Sequence, residues 1–217
     1  SEVGMVPAEL MGLDIKKFKR LNHLINNKKF MHNIVQNVSA ILLFAKRKKN
    51  LSVILNYDES SNKLFEWYQQ LVSESLGKKS KGIIPLISTM PKDNHSLMQY
   101  FLDGPKNNFY TFYGVKDKKS QNIKTNLLLN SFSFIKNKNL SQIKDAQRIA
   151  TENIFAKKKI PFRTIEIVNK NEQSIGEIFT FFMLETILLG RALKVNPFDQ
   201  PSVELIKKET KKIIIRG

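Results

Sequence analysis

A chain of 217 residues, 41% hydrophobic and 25% charged, can bury the core of one large domain or two small ones. It contains no cysteine, which excludes disulfides and thiolate metal sites, and its three histidines, His23, His32 and His95, are too scattered for a zinc motif. The net charge of +17 raises nucleic-acid binding as a function, but the basic residues come as short clusters at 16–20, 46–49, 78–81, 116–119, 157–159 and 207–212, which reads as solvated surface rather than a binding stripe. A phosphate-bearing small substrate stays compatible with this charge.

Ser1 is not a start methionine, and neither a charged n-region nor a long apolar stretch follows it, so the sequence reads as beginning mid-protein. Residues 3–13 are apolar and helix-like with Pro7 near the start, and a basic amphipathic helix follows from 14 or 15 to about 26. A further helix, roughly 27–48, sets Phe30, Ile34, Val38, Ile41 and Leu42 on one apolar stripe. Residues 51–55, bounded by Asn50 and Asn56, read as a buried strand. After a turn with Tyr57 and Asp58 come a helix bearing Glu74, a strand at 83–87, a polar turn with His95, a helix at about 96–102 and a strand at 109–112. Strands alternating with helices predict an α/β fold, a three-layer sandwich whose mainly parallel sheet has helices on both faces and right-handed crossovers.

The stretch 114–139 is polar and lysine-rich apart from 127–129 and 132–135, and reads as a long excursion with room for a short strand. A helix is expected at 141–157 with Ser141 as N-cap, then a strand at 162–168. The helix from 174 to about 193 is apolar around nearly its whole circumference, with Ser174 and Glu177 spaced as a capping box. Its most apolar part, 178–189, is too short for a membrane span and is interrupted by Thr180, Glu185 and Thr186, so no membrane partner is expected. The tail turns at Pro197 and Pro201 and ends in an amphipathic helix.

Gln70 and Glu74 lie four apart in a helical segment, which places them one turn apart on one face. That helix ends at Gly77 before Lys78, a C-cap followed by a basic turn. Glu74 and His95 thus both sit at ends of secondary structure, where catalytic groups of α/β proteins usually lie. No GxGxxG, P-loop or GxSxG pattern is present. The remaining carboxylate, imidazole, amide and ammonium groups suit proton transfer better than covalent or metal chemistry. Taken locally, Glu74 is a solvated helix carboxylate, His95 a polar turn residue and Lys207 an ordinary helix lysine.

Three motifs in one order alter that reading. YQQLVSESLGK at 68–78, DNHS at 93–96 and FDQPSVELIK at 198–207 resemble the glucose-6-phosphate isomerase family in sequence, order and spacing. ATEN at 150–153 and PFRTIEI at 161–167 also fit the family's late helix and strand. The resemblance implies a sugar-isomerase (SIS-type) sandwich: 1–26 as the end of a smaller domain with a connecting helix, 27–195 as the larger domain, and 196–217 as a turn and helix carrying an active-site lysine. It implies a cytoplasmic aldose–ketose isomerase of glycolysis and gluconeogenesis, which opens the ring of a sugar phosphate and passes through a cis-enediolate without a cofactor or metal. Glu74 matches the base that moves a proton between C2 and C1, a task suited to a carboxylate whose pKa burial raises towards neutrality.

By the same resemblance Gln70 contacts the substrate beside that base, and Gln200 lies on its phosphate side. Lys207 works at the ring oxygen, and His95 assists ring opening in the site of a neighbouring subunit, which implies a homodimer. Ser202 departs from the glycine of many members. The family's enediolate-stabilising arginine and phosphate loop lie in segments upstream of the position of Ser1, so the chain is expected to be the C-terminal half and nearly inactive alone. The rival reading is a non-catalytic sugar-phosphate-binding regulatory module of the same fold. Retention of Glu74, His95, Gln200 and Lys207 together argues against it.

Overall fold

Strands β1 (Leu51–Asn56), β2 (Ile84–Thr89), β3 (Asn108–Val115) and β4 (Phe162–Ile167) form one sheet in the order β2-β1-β3-β4, and every neighbouring pair is parallel. The computed structural model describes residues 2–19, 21–116, 120, 122–123 and 130–216. Leu51 stands opposite both Ile84 and Asn108, and Tyr110 opposite Phe162. All eight residues of β3 are buried, as a central strand covered on both faces requires.

Alternation along the strands separates two cores. Val53 and Leu55 of β1 with Tyr110 and Phe112 of β3 face α7 (Met98–Asp103) and α8 (Leu140–Lys157), where Phe101 and Phe155 complete the cluster. Ile54, Phe109, Tyr113, Val115 and Ile167 face the other way, onto α4 (Lys28–Lys46), α5 (Asn62–Leu76) and α9 (Glu172–Leu193). The expected α/β/α sandwich is therefore present. The stripe of α4 is realised through buried Ile34, Val38 and Ile41.

Several element ends differ from the expectation for identifiable reasons. Pro7 lies inside α1 (Glu2–Leu10), not at its start. The single helix expected at 14–26 is two, α2 (Ile15–Lys19) and α3 (Asn22–Asn26). Here α2 lies tight on α9, because Gly176 leaves room for the Phe18 carbonyl; a Cβ there would stand 2.4 Å from that oxygen. Asp93 moves the start of the helix expected at 96: its carboxylate accepts from Thr89 N at 2.7 Å and Ser88 Oγ at 3.0 Å, giving α6 (Asp93–Ser96) before α7.

The caps of the late helices are asparagines. Asn139 caps α8 with Gln142 returning the bond, so Ser141 is not the cap, and Asn171 caps α9 with Ser174 as its third helical residue. Asparagine caps as well as serine does, and each Asn lies far enough upstream to add a turn's start. Within 114–139, β3 continues to Val115 and a 3-10 helix occupies Asn130–Ile135. The run 127–129 lies outside the described residues. The last helix, α10 (Pro201–Arg216), keeps Leu205, Ile206 and Ile214 exposed.

Candidate active site

Each βα unit carries the chain from the C-terminal edge of the sheet back to its N-terminal edge. Helix α5 follows β1 and α9 follows β4, so both end at the N-terminal edge, where they pack side by side. The segment 194–200 leaves α9 there and crosses the end of α5. Lys81 Nζ donates to Leu193 O at 2.9 Å, Lys78 Nζ donates to Asn196 O, and Lys78 pairs with Asp199 at 2.8 Å. The turn between them needs left-handed backbone at Lys79, Ser80 and Gly82; only Gly82 accommodates the close approach of Leu76 O, 2.5 Å from where a Cβ would lie.

This crossing brings three of the five sequence candidates together. Gln70 Nε2 donates to Glu74 Oε1 at 2.9 Å, and Gln200 Nε2 donates to Glu74 Oε2 at 2.6 Å. Both oxygens of one carboxylate are thus oriented by neutral amides, one from the preceding turn and one from a segment 126 residues away. Glu74 is half-buried and both glutamines are exposed, so the burial anticipated for the base is not found.

The other two candidates stand apart. Lys207 lies on α10, 66% exposed in its side chain, and its ammonium pairs with Glu204 at 2.7 Å. His95 lies on α6, directly after the C-terminal end of β2, and neither ring nitrogen has a hydrogen-bond partner among the described residues. A six-residue strand spans about 20 Å, so Glu74 and His95 occupy opposite edges of the sheet. Glu74 rides on the last turn of α5 and His95 on the short helix after β2, so both lie at ends of secondary structure as expected, but at different edges of the sheet. His95 is held there through Asp93, which also accepts from Ser96 Oγ at 3.1 Å.

At that C-terminal edge Asp58 follows β1, beside the point where the strand order reverses between β1 and β3. Its Oδ2 accepts from Lys170 Nζ at 2.6 Å and Ser61 Oγ at 2.6 Å. Burial alone would raise the Asp58 pKa; the bonds from Lys170, Ser61 and Ser60 outweigh it and hold the carboxyl below its usual value.

A second carboxylate is fully buried. Glu185 of α9 takes a forked ion pair from Arg163 of β4 and a hydrogen bond from Tyr68 OH at 3.1 Å, and Arg163 Nε donates to Thr111 Oγ1 at 3.0 Å. Burial works against the guanidinium, and the charge of Glu185 more than compensates, so Arg163 is raised above its ordinary pKa. This network locks α5 and α9 onto the sheet and so fixes the two helix ends that form the Glu74 cluster.

Sequence reasoning missed Lys78, Asp199, Asp93 and the Arg163–Glu185 pair. Asp199 and Asp93 lay within motifs already singled out, directly beside Gln200 and two residues before His95. The pairing of Lys78 with Asp199 had no local signal.

No family model matches the chain. It is 33% identical over 220 residues to glucose-6-phosphate isomerase of Mycoplasmopsis pulmonis, covering 98% of this chain and 51% of that protein. Its identity to the glucose-6-phosphate isomerase of Methanocaldococcus jannaschii is 32%, over 95% of this chain and 52% of the relative. A hypothetical protein from Thermus thermophilus shares the fold with a TM-score of 0.89 at 25% identity, over 99% of this chain and 54% of that one. A glucose-6-phosphate isomerase from Chlamydia trachomatis superposes with a TM-score of 0.62 over 76% of this chain and 34% of its own, at 18% identity, a likeness of fold alone. The chain spans about half the length of the curated relatives it matches. It is a homologue of the glucose-6-phosphate isomerases, aligned with them over nearly all of its own length and about half of theirs.

Proposed function

We propose that these residues supply the proton-transfer half of an aldose–ketose isomerase that interconverts glucose 6-phosphate and fructose 6-phosphate. The observation that carries this reading is the meeting of Gln70 and Gln200 on the two oxygens of Glu74. A carboxylate oriented from both sides, half-buried and with no salt bridge to it among the described residues, is arranged to take a proton from a carbon acid and return it to the neighbouring carbon. Gln200 then serves the base directly, beyond the phosphate-side role that the resemblance implies. Lys207 would approach the ring oxygen once α10 is seated by substrate or by further protein.

His95 lies at the far edge of the sheet from Glu74 in its own chain. That separation supports assigning its imidazole to ring opening in the site of a second subunit, so that one homodimer interface completes two sites. Residues 1–26 would then belong to a smaller neighbouring domain, 27–195 to the larger one and 196–217 to the arm that carries Gln200 and Lys207.

Isomerase turnover of the full-length polypeptide with and without Glu74→Gln tests this. The substitution keeps the shape and one accepting oxygen while removing the base; its NH2 can bond only to a neighbouring glutamine that turns its own oxygen inward, and turnover should fall about a hundredfold or more. Residues 1–217 alone should turn over slowly, because stabilisation of the enediolate charge is a large part of such catalysis. Unchanged turnover by the Glu74→Gln protein would refute the base assignment.

A further inference from the structure

Gln70, Glu74 and Lys78 recur every four residues, and the first two make the base and its near amide. Lys78 is 11% exposed in its side chain, unusual for lysine, which is almost never enclosed without a partner. Its ammonium lies 2.8 Å from Asp199 Oδ1 and donates to the Asn196 carbonyl. Asp199 is the residue before Gln200, and its other oxygen accepts from Asn196 Nδ2 at 3.1 Å. The start of the loop is fixed to α9 by Val195 N on Gly190 O at 3.0 Å and by Pro197 against Gly190. Beyond Gln200 the chain enters α10, which is exposed along its described length.

We propose that Lys78 is a positioning residue for the isomerase site: its ion pair with Asp199 seats the 196–200 loop over the end of α5, and so delivers the Gln200 amide to the second oxygen of Glu74. The proposal rests on the reading of Glu74 as base. The loop is anchored at its start by α9 and at its end by this pair; without it, Phe198 and Asp199 keep only their bonds to Asn196 within the loop itself. The Lys78 bond is the main cause holding Asp199 below its usual carboxylate range. A catalytic amide moved by an ångström loses much of its effect on rate.

The test reads the side-chain amide NMR signals of Gln70 and Gln200 in residues 1–217. In the wild-type background, Glu74→Ala should shift both. In a Lys78→Met background it should shift Gln70 only, and Lys78→Arg, which can pair and donate in the same place, should restore the response of Gln200. Gln70 sits on α5 and serves as the internal control for folding. Asp199→Ala breaks the pair from its exposed partner and should reproduce the Lys78→Met result. Equal response of Gln200 with and without the pair would overturn the proposal.

In the full-length polypeptide, Lys78→Met should lower kcat about tenfold or more with a smaller change in KM, and Lys78→Arg should recover it. Turnover that survives Glu74→Gln would refute the base reading while the amide comparison still reports on Lys78. The two failures are therefore distinguishable.

Discussion

Glu185 and Glu74 are both helix carboxylates gripped through two oxygens, yet they have opposite surroundings. Glu185 is wholly buried and faces a guanidinium, so its charge is matched and its position is fixed by α5, α9 and β4 together. Glu74 is half-buried and faces two amides, which orient it with no salt bridge to it among the described residues. The difference separates a carboxylate that builds the fold from one available for chemistry: the partner's charge and the access of solvent decide which, not the residue type or the number of bonds.

The comparison breaks most visibly at Glu185. Glu185→Ala leaves the largely enclosed Arg163 charged and without its carboxylate, and should cost about 3 kcal/mol of stability in denaturant unfolding. The paired replacement Glu185→Leu with Arg163→Met should cost much less, because no uncompensated charge remains. A small loss for the single substitution would mean that the network does not hold the layers together.

Mixed subunits sharpen the functional side. In the proposed homodimer, one Glu74→Gln subunit paired with one His95→Ala subunit should give one intact site and one doubly defective site, and so recover about half of wild-type turnover per mixed dimer. If His95 acted in its own subunit, the mixture would stay as inactive as either parent.

The smallest expected effect concerns the Asp58–Lys170 pair at the other edge. Because the Asp58 pKa is lowered in the folded protein, its stabilisation is present above the unfolded carboxylate value and is lost as pH falls through the folded one. Lys170→Met should therefore lower stability at neutral pH by about 0.5–1 kcal/mol and flatten the acid limb of the pH–stability curve.

Much of the fold was legible because its strands carry the signal of a doubly covered sheet: 51–55 and 109–112 are apolar runs between polar turns, and helices of the right length separate them. Helix starts were less legible, since Ser141 and Ser174 are as good caps on paper as Asn139 and Asn171, and only the path of the incoming chain decides. Asp93 shows the same limit, where a side chain bonded to the end of β2 sets the start of α6. In the site, Gln70 and Glu74 were legible from helical spacing. Gln200 required the resemblance, and its bond to Glu74 required the structure, because the contact depends on α5 and α9 ending at the same edge of the sheet. Glu185 was hidden by its apolar neighbours on α9, where it read as an interruption rather than as the centre of a buried network.

The most direct measurement follows the hydrogen at C2 of glucose 6-phosphate in deuterated water, using the full-length polypeptide. With Glu74 intact, deuterium should enter C2 during turnover, because the proton on the base exchanges before it is returned. With Glu74→Gln, incorporation should fall about a hundredfold or more, in step with isomerisation, in a protein of unchanged stability. Undiminished incorporation in the Glu74→Gln protein would contradict the account.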